Sequence, residues 1–119
     1  MAESDDEQWP PHLDAVIAAP KNHRILMDDE TVRVLEVTVN PGEREPLHHH
    51  RWPSIMVVLS RPNYVNRNAN GDVIPPAGTT PSSAVLPRAL RLPPQPAHAI
   101  EVDADAPHRF HGIRIELKT

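Results

Sequence analysis

Proline punctuates this chain. Fifteen prolines among 119 residues fall mostly between short runs of β-branched and aliphatic residues. A proline lacks a backbone donor and pushes the residue before it out of the helical region, so such a chain cannot carry long helices through these points. The pattern that remains is an all-β domain of many turns, a jelly roll or a small barrel.

Taken in order, residues 1–12 are acidic and contain Pro10-Pro11, which reads as a flexible tail. Asp14 to Ala19 can form one or two helical turns, capped by Asp14 and ended by Pro20. Residues 1–22 thus stand as an N-terminal tail with a short helical turn, and residues 23–119 as the β domain. His23-Arg24-Ile25-Leu26-Met27 is a first strand, Asp28-Asp29-Glu30 a turn, and Thr31 to Val39 a longer strand with apolar groups on both faces. Asn40-Pro41-Gly42 is a turn. A strand over Ile55 to Ser60 follows, then a hairpin in which Asn70-Gly71 joins Tyr64–Arg67 to Asp72–Ile74. Residues 75–83 are a loop. Ala84 to Leu92 and His98 to Val102 read as strands separated by Pro93-Pro94-Gln95-Pro96, and Phe110 to Leu117 closes the chain with strict alternation. About eight or nine strands result.

Size and charge restrict the function. One domain of this length holds a single core. Lys plus Arg is 12 against 16 Asp plus Glu, and no basic patch interleaved with aromatics occurs, so nucleic acid is not an expected partner. No apolar run approaches the length of a membrane span. Without cysteine there is no disulfide, thiolate ligand or cysteine nucleophile. The acidic N-terminus does not have the form of a secretion signal, so the expectation is a soluble cytoplasmic protein.

The residues that suggest chemistry are His48-His49-His50. In a strand His48 and His50 share a face and His49 points the other way, so His-x-His offers two imidazoles to one metal ion if a third ligand comes from elsewhere. His98 is the candidate third ligand. His111 shares a face with Ile113 and Ile115 under strict alternation, so it can point inward and add a fourth nitrogen; a hydrogen-bonded core histidine is the alternative. His12, His23 and His108 read as solvated, His49 as a surface or inter-sheet residue, and Glu101, Arg114 and Glu116 as exposed strand residues. Trp52 either walls a cavity or covers the barrel edge. Glu43 and Glu45 fall in the turn before the histidines, which leaves no evident general base beside them.

Gly42, five residues, His48-x-His50, and later Pro93 and His98 together resemble the cupin superfamily, in particular the small bacterial single-domain cupins, over roughly residues 23–118. The first cupin motif, Gly-x5-His-x-His followed after three or four residues by Glu, is matched by Gly42, His48 and His50. Its glutamate position falls on Ser54 or Ile55. In the second motif, Gly-x5-Pro-x-Gly-x2-His-x3-Asn, Pro93 and His98 match, while Pro87, Gln95 and Val102 replace the two glycines and the asparagine. The resemblance implies a cupin-type jelly-roll β-barrel with a short N-terminal helical turn, and a divalent metal ion (Fe, Mn, Ni or Zn) on His48, His50 and His98; His111 stays a further candidate on strand alternation alone. It also implies a homodimer.

Neutral imidazoles leave the charge of a divalent ion uncompensated, so such a site favours an anionic or enolisable small molecule. The expected activity is that of a dioxygenase-like or isomerase-like metalloenzyme acting on a small organic acid or diketone. The alternative is a non-catalytic cupin that binds or senses a small ligand through a degenerate metal site.

Overall fold

The computed structural model describes residues 5–75 and 84–118. Among the described residues nine strands alternate with turns: β1 His23–Asp28, β2 Val32–Val39, β3 His48–His50, β4 Ser54–Ser60, β5 Tyr64–Asn68, β6 Val73–Ile74, β7 Arg88–Leu92, β8 Gln95–Val102 and β9 Phe110–Leu117. They form a five-stranded sheet in the order β1-β2-β9-β4-β7 and a four-stranded sheet in the order β3-β8-β5-β6. All pairings between these strands are antiparallel. The core lies between the sheets and centres on Leu35, Val37, Val39, Met56, Val58, Leu92, Val102 and Phe110. Among the described residues no helix is long and apolar enough to cross a membrane.

The turn chemistry acts as the sequence requires. Gly42 and Gly71 hold φ of 78° and 85°, a region open to glycine at little cost. Asp29 closes the β1–β2 turn by accepting from the backbone N–H groups of Thr31 and Val32 at 2.8 and 2.9 Å. Asp14 caps the short helix Ala15–Ala18 through Val16 N–H at 3.2 Å. The loop read at residues 75–83 lies, past residue 75, outside the described residues, the strand read from Ala84 begins at Arg88, and the one read from His98 begins at Gln95.

Two differences from the sequence reading have physical causes. The segment around residues 9–22 packs against the barrel: Ala15, Ala19 and Asn22 are buried, and Pro10 O accepts from His49 Nε2–H at 2.8 Å. His49 is therefore buried, edge-on to Trp9, and not at the surface. Second, β9 alternates as expected but with its faces exchanged. Phe110, Gly112, Arg114 and Glu116 point inward and are buried, while His111, Ile113, Ile115 and Leu117 lie on the half-exposed outer face. Polarity misleads here because the inward polar groups find partners across the barrel, Glu116 with Arg33 and His50 and Arg114 with Ser54, which offsets part of the penalty for burying them.

Candidate metal centre

Strand register builds the site. In the β3–β8 pair His48 lies directly opposite His98, and His50 opposite Gln95. The rings of His48 and His98 are 4.7 Å apart centre to centre, those of His48 and His50 5.1 Å, and those of His50 and His98 5.7 Å. The first residue of β1, in the other sheet, completes the group. His23 is 3% exposed, with its ring 4.4 Å from His48 and 5.3 Å from His50. A strand start reads as solvated, but Ala19 and the helical turn before it cover this one.

Each of the four rings has one nitrogen committed. His23 Nδ1–H donates to Ala19 O at 3.0 Å, His48 Nδ1–H to Pro46 O at 2.8 Å, and His98 Nδ1–H to Pro96 O at 2.8 Å. His50 Nδ1–H donates to the Glu116 carboxylate at 3.0 Å. A carbonyl or carboxylate oxygen can only accept, so all four neutral rings carry the proton on Nδ1 and keep the Nε2 lone pair free. Burial, helped by neighbouring imidazoles and Arg114, keeps these rings neutral. It lowers His23 and His98 to about 4, His48 to about 2, and His50 well below 6.5.

Glu45 joins this group, although it sits in the segment after the turn. Residues 42–45 run alongside β8, with Glu45 N–H donating to Ile100 O at 3.0 Å and Ile100 N–H returning to Glu45 Oε1 at 2.9 Å. That pairing turns the carboxyl inward, 3.7 Å from His48 Nε2 and 3.9 Å from His23 Nε2. Among the described residues its Oε2 has no hydrogen-bond partner, and burial raises the group to about 8. Two triads have ligand atoms within 4.8 Å of one another, His23/His48/His50 and Glu45/His48/His98, and both contain His48.

A chain of charged groups stands behind His50. Glu116, fully buried, accepts from His50 through one oxygen and from Arg33 Nε–H through the other. Arg33 in turn donates to the Asp14 carboxylate at 2.9 Å. Arg114, also buried, donates from Nε to Ser54 Oγ at 3.0 Å. Burial lowers Arg114 to about 10, against the opposing pull of Glu116 and Glu45.

His111 does not join this cluster. It lies on the outer face of β9, with Nε2–H donating to Glu36 at 2.9 Å. Trp52 covers an edge, stacking beneath the cations of Arg33, Arg51 and Lys118 at 5.1 to 5.5 Å. Glu101 stays half exposed beside Arg67. The four histidines, Glu45 and Arg114 line one end of a cavity of about 690 Å3, its open mouth included, whose remaining wall is largely apolar.

Among solved structures, the architecture matches a cupin domain from Bordetella pertussis Tohama I, with a TM-score of 0.60 at 17% identity over 82% of this chain and 92% of that one. The chain has the cupin fold. A cupin family protein with a double-stranded β-helix fold from Methanocaldococcus jannaschii aligns with a TM-score of 0.53 at 9% identity, over 80% of this chain and 77% of that one. The polyketide cyclase RemF from Streptomyces resistomycificus aligns over all of this chain and 80% of its own, with a TM-score of 0.51 at 16% identity. No family model matches the chain, and no curated protein matches it in sequence. Identities this low establish the barrel, so the chemistry has to be argued from the residues of this chain.

Proposed function

We propose that this cupin is a metalloenzyme that holds one divalent ion (Fe, Mn, Ni or Zn) and acts on a small organic acid or diketone. The observation that carries the reading is the shared orientation of four buried imidazoles. Each spends its Nδ1–H on a fixed acceptor and offers Nε2, the arrangement that second-shell partners impose on metal-ligating histidines. The donor set fits a borderline first-row cation: nitrogen-rich, with a buried carboxyl oxygen, Glu45 Oε2, that has no other partner. His48, common to both triads, is the central ligand; His23, His50 and His98 supply further nitrogens, and Glu45 an oxygen.

The ion, when bound, supplies Lewis acidity or a site for dioxygen. The chain does the rest. The apolar wall excludes water from the reacting end, Arg114 presents positive charge there, and Glu116 and Arg33 keep the His50 ring from turning. The structural neighbour named as a polyketide cyclase is compatible with an enzyme on this barrel. The mostly apolar cavity also suits a non-catalytic ligand-binding role, and turnover separates the two. Oxygen consumption or loss of substrate absorbance with a panel of diketones and aromatic acids supports the enzyme; saturable binding without turnover supports the binder.

The metal reading is tested on tag-free protein by elemental analysis and a zinc titration. His48→Ala is expected to abolish stoichiometric metal, His23→Ala to weaken binding by about 10- to 100-fold, and His111→Ala to change nothing. Metal content unaffected by His48→Ala would overturn the reading.

A further inference from the structure

Arg114 is a buried cation without a counter-ion in contact. It is 2% exposed, makes one side-chain hydrogen bond, to Ser54 Oγ, and forms no ion pair within 4.0 Å among the described residues. Its Nη2 has no hydrogen-bond partner among the described residues. The other buried guanidinium, on Arg33, differs in being paired with both Asp14 and Glu116. An unpaired guanidinium N–H is costly to bury, and a fold that keeps one beside a cavity gains when a ligand oxygen meets it. Arg114 lines the cavity, and so do two amides with buried unpartnered oxygens, those of Asn66 and Gln95.

Charge balance points the same way. With a divalent ion in place, the ion and the guanidinium groups of Arg33 and Arg114 exceed the carboxylates of Asp14, Glu45 and Glu116 by one positive charge, in a region mostly shut off from water. An anion from outside the protein restores neutrality. The rest of the cavity is walled by Met56, Val58, Leu90 and Phe110 among others, surfaces that take an apolar body and offer it little hydrogen bonding.

We propose that the cavity binds a ring-containing monocarboxylate, with its carboxylate on Arg114 and its ring against Met56, Val58, Leu90 and Phe110. The proposal names the substrate class of the metal centre proposed above and rests on that reading for the chemistry that follows, but the carboxylate contact needs no ion. Arg61 also lines the cavity and stacks on Tyr64 at 5.4 Å, so it is the competing cation and serves as the control.

The test is calorimetric titration of 2-naphthoate and its neutral analogue 2-naphthamide into the full chain, both EDTA-treated and zinc-loaded. The carboxylate is expected to bind at least about tenfold more tightly than the amide in both preparations. That preference is expected to vanish in Arg114→Met, to survive in part in Arg114→Lys, and to persist in Arg61→Met. Equal affinities, no saturable binding of naphthoate, or loss of the preference in Arg61→Met would each overturn it. Circular dichroism shows whether Arg114→Met folds; if it does not, the wild-type and Arg61→Met titrations still decide. A carboxylate preference in EDTA-treated protein that retains no added zinc supports this inference while removing the metal reading, so the two failures are distinct.

Discussion

Glu116 offers the sharpest test of how the barrel positions its histidines. It has no exposed surface, and its two oxygens serve different donors, Arg33 on one side and His50 on the other. Glu116→Gln keeps the volume and removes the charge. The amide has one oxygen, so an N–H group now faces either Arg33 or His50, and the Arg33 guanidinium keeps Asp14 as its only carboxylate. Removing one member of a buried charged pair costs about 3–5 kcal/mol. The unfolding entropy of a chain this long is about 0.25 kcal/mol/K, so the lower bound lowers the melting temperature by about 12 °C. His50 also loses the carboxylate that orients its ring, which weakens metal binding by about 10- to 100-fold. Thermal unfolding by circular dichroism in EDTA reads the first effect, and competition for zinc against a chromophoric chelator reads the second. A melting temperature within about 3 °C of wild type would refute the energetic argument. A clear fall in melting temperature with unchanged zinc affinity would refute the role of Glu116 in orienting His50.

Three further outcomes are expected. In EDTA, stability peaks near pH 6.5: His23, His48 and His98 resist protonation down to about 4, 2 and 4 in the folded state, and unfolded histidines do not. Acidification below 6.5 therefore costs up to about 1.4 kcal/mol per pH unit per histidine. Above that pH, Glu45 reverses the slope, because it holds its proton to about 8 when folded and releases it near 4.5 when unfolded, so about 1.4 kcal/mol per unit is lost as pH rises toward 8; a flat profile of urea midpoints would contradict both. Zinc at a hundredfold excess over its dissociation constant raises the melting temperature by about 10 °C, through about 2.7 kcal/mol of linkage, and His48→Ala removes the rise. Gly42→Ala, which forces an L-residue to a φ of 78°, costs about 1–2 kcal/mol and shifts the segment that delivers Glu45, read as a lower urea midpoint together with weaker zinc binding.

The histidine pair was legible because it depends on local geometry. Alternation in a strand puts His48 and His50 on one side whatever the rest of the chain does, and the spacing of His98 after Pro93 marks the opposing strand. Several strand boundaries follow for the same reason, since proline, glycine and Asn-Gly act within a few residues, but β7 begins at Arg88 and not at Ala84, and β8 begins at Gln95, inside the run read as a turn. His23 and Glu45 were not legible, because their burial is decided by distant parts of the chain: Ala19 and the helical turn cover one, and the backbone of Ile100 turns the other inward. One assumption, that the apolar half of an alternating strand points inward, puts His111, Arg114 and Glu116 on the wrong faces. On β9 that assumption fails because the inward charges meet Arg33, Ser54 and His50 across the barrel. A local signal was present in the burial of the neighbouring strand: Arg33 stands at an alternate position of β2, on the same face as Leu35, Val37 and Val39.

Ser54 ties these observations together. It occupies one of the two positions where the cupin motif would carry its glutamate, and it is 1% exposed. In place of a carboxylate on the metal, it presents a hydroxyl that accepts from Arg114. At that point of the barrel the usual negative charge is replaced by a positive one. Glu45, reaching in from the segment before the histidines, restores one carboxyl to the group. Relative to three histidines and a glutamate, the exchange keeps the carboxyl and adds a nitrogen from His23 and a cation from Arg114. A centre altered in this way still has the donors to hold an ion and gains a reason to prefer an anionic partner, so Ser54→Ala is informative in a direction that a simple motif loss would not predict. It leaves Arg114 without its one hydrogen bond and should weaken the carboxylate preference by about tenfold while zinc affinity stays within about twofold of wild type. If zinc affinity falls instead and the preference holds, Ser54 belongs to the metal site and no such exchange has taken place.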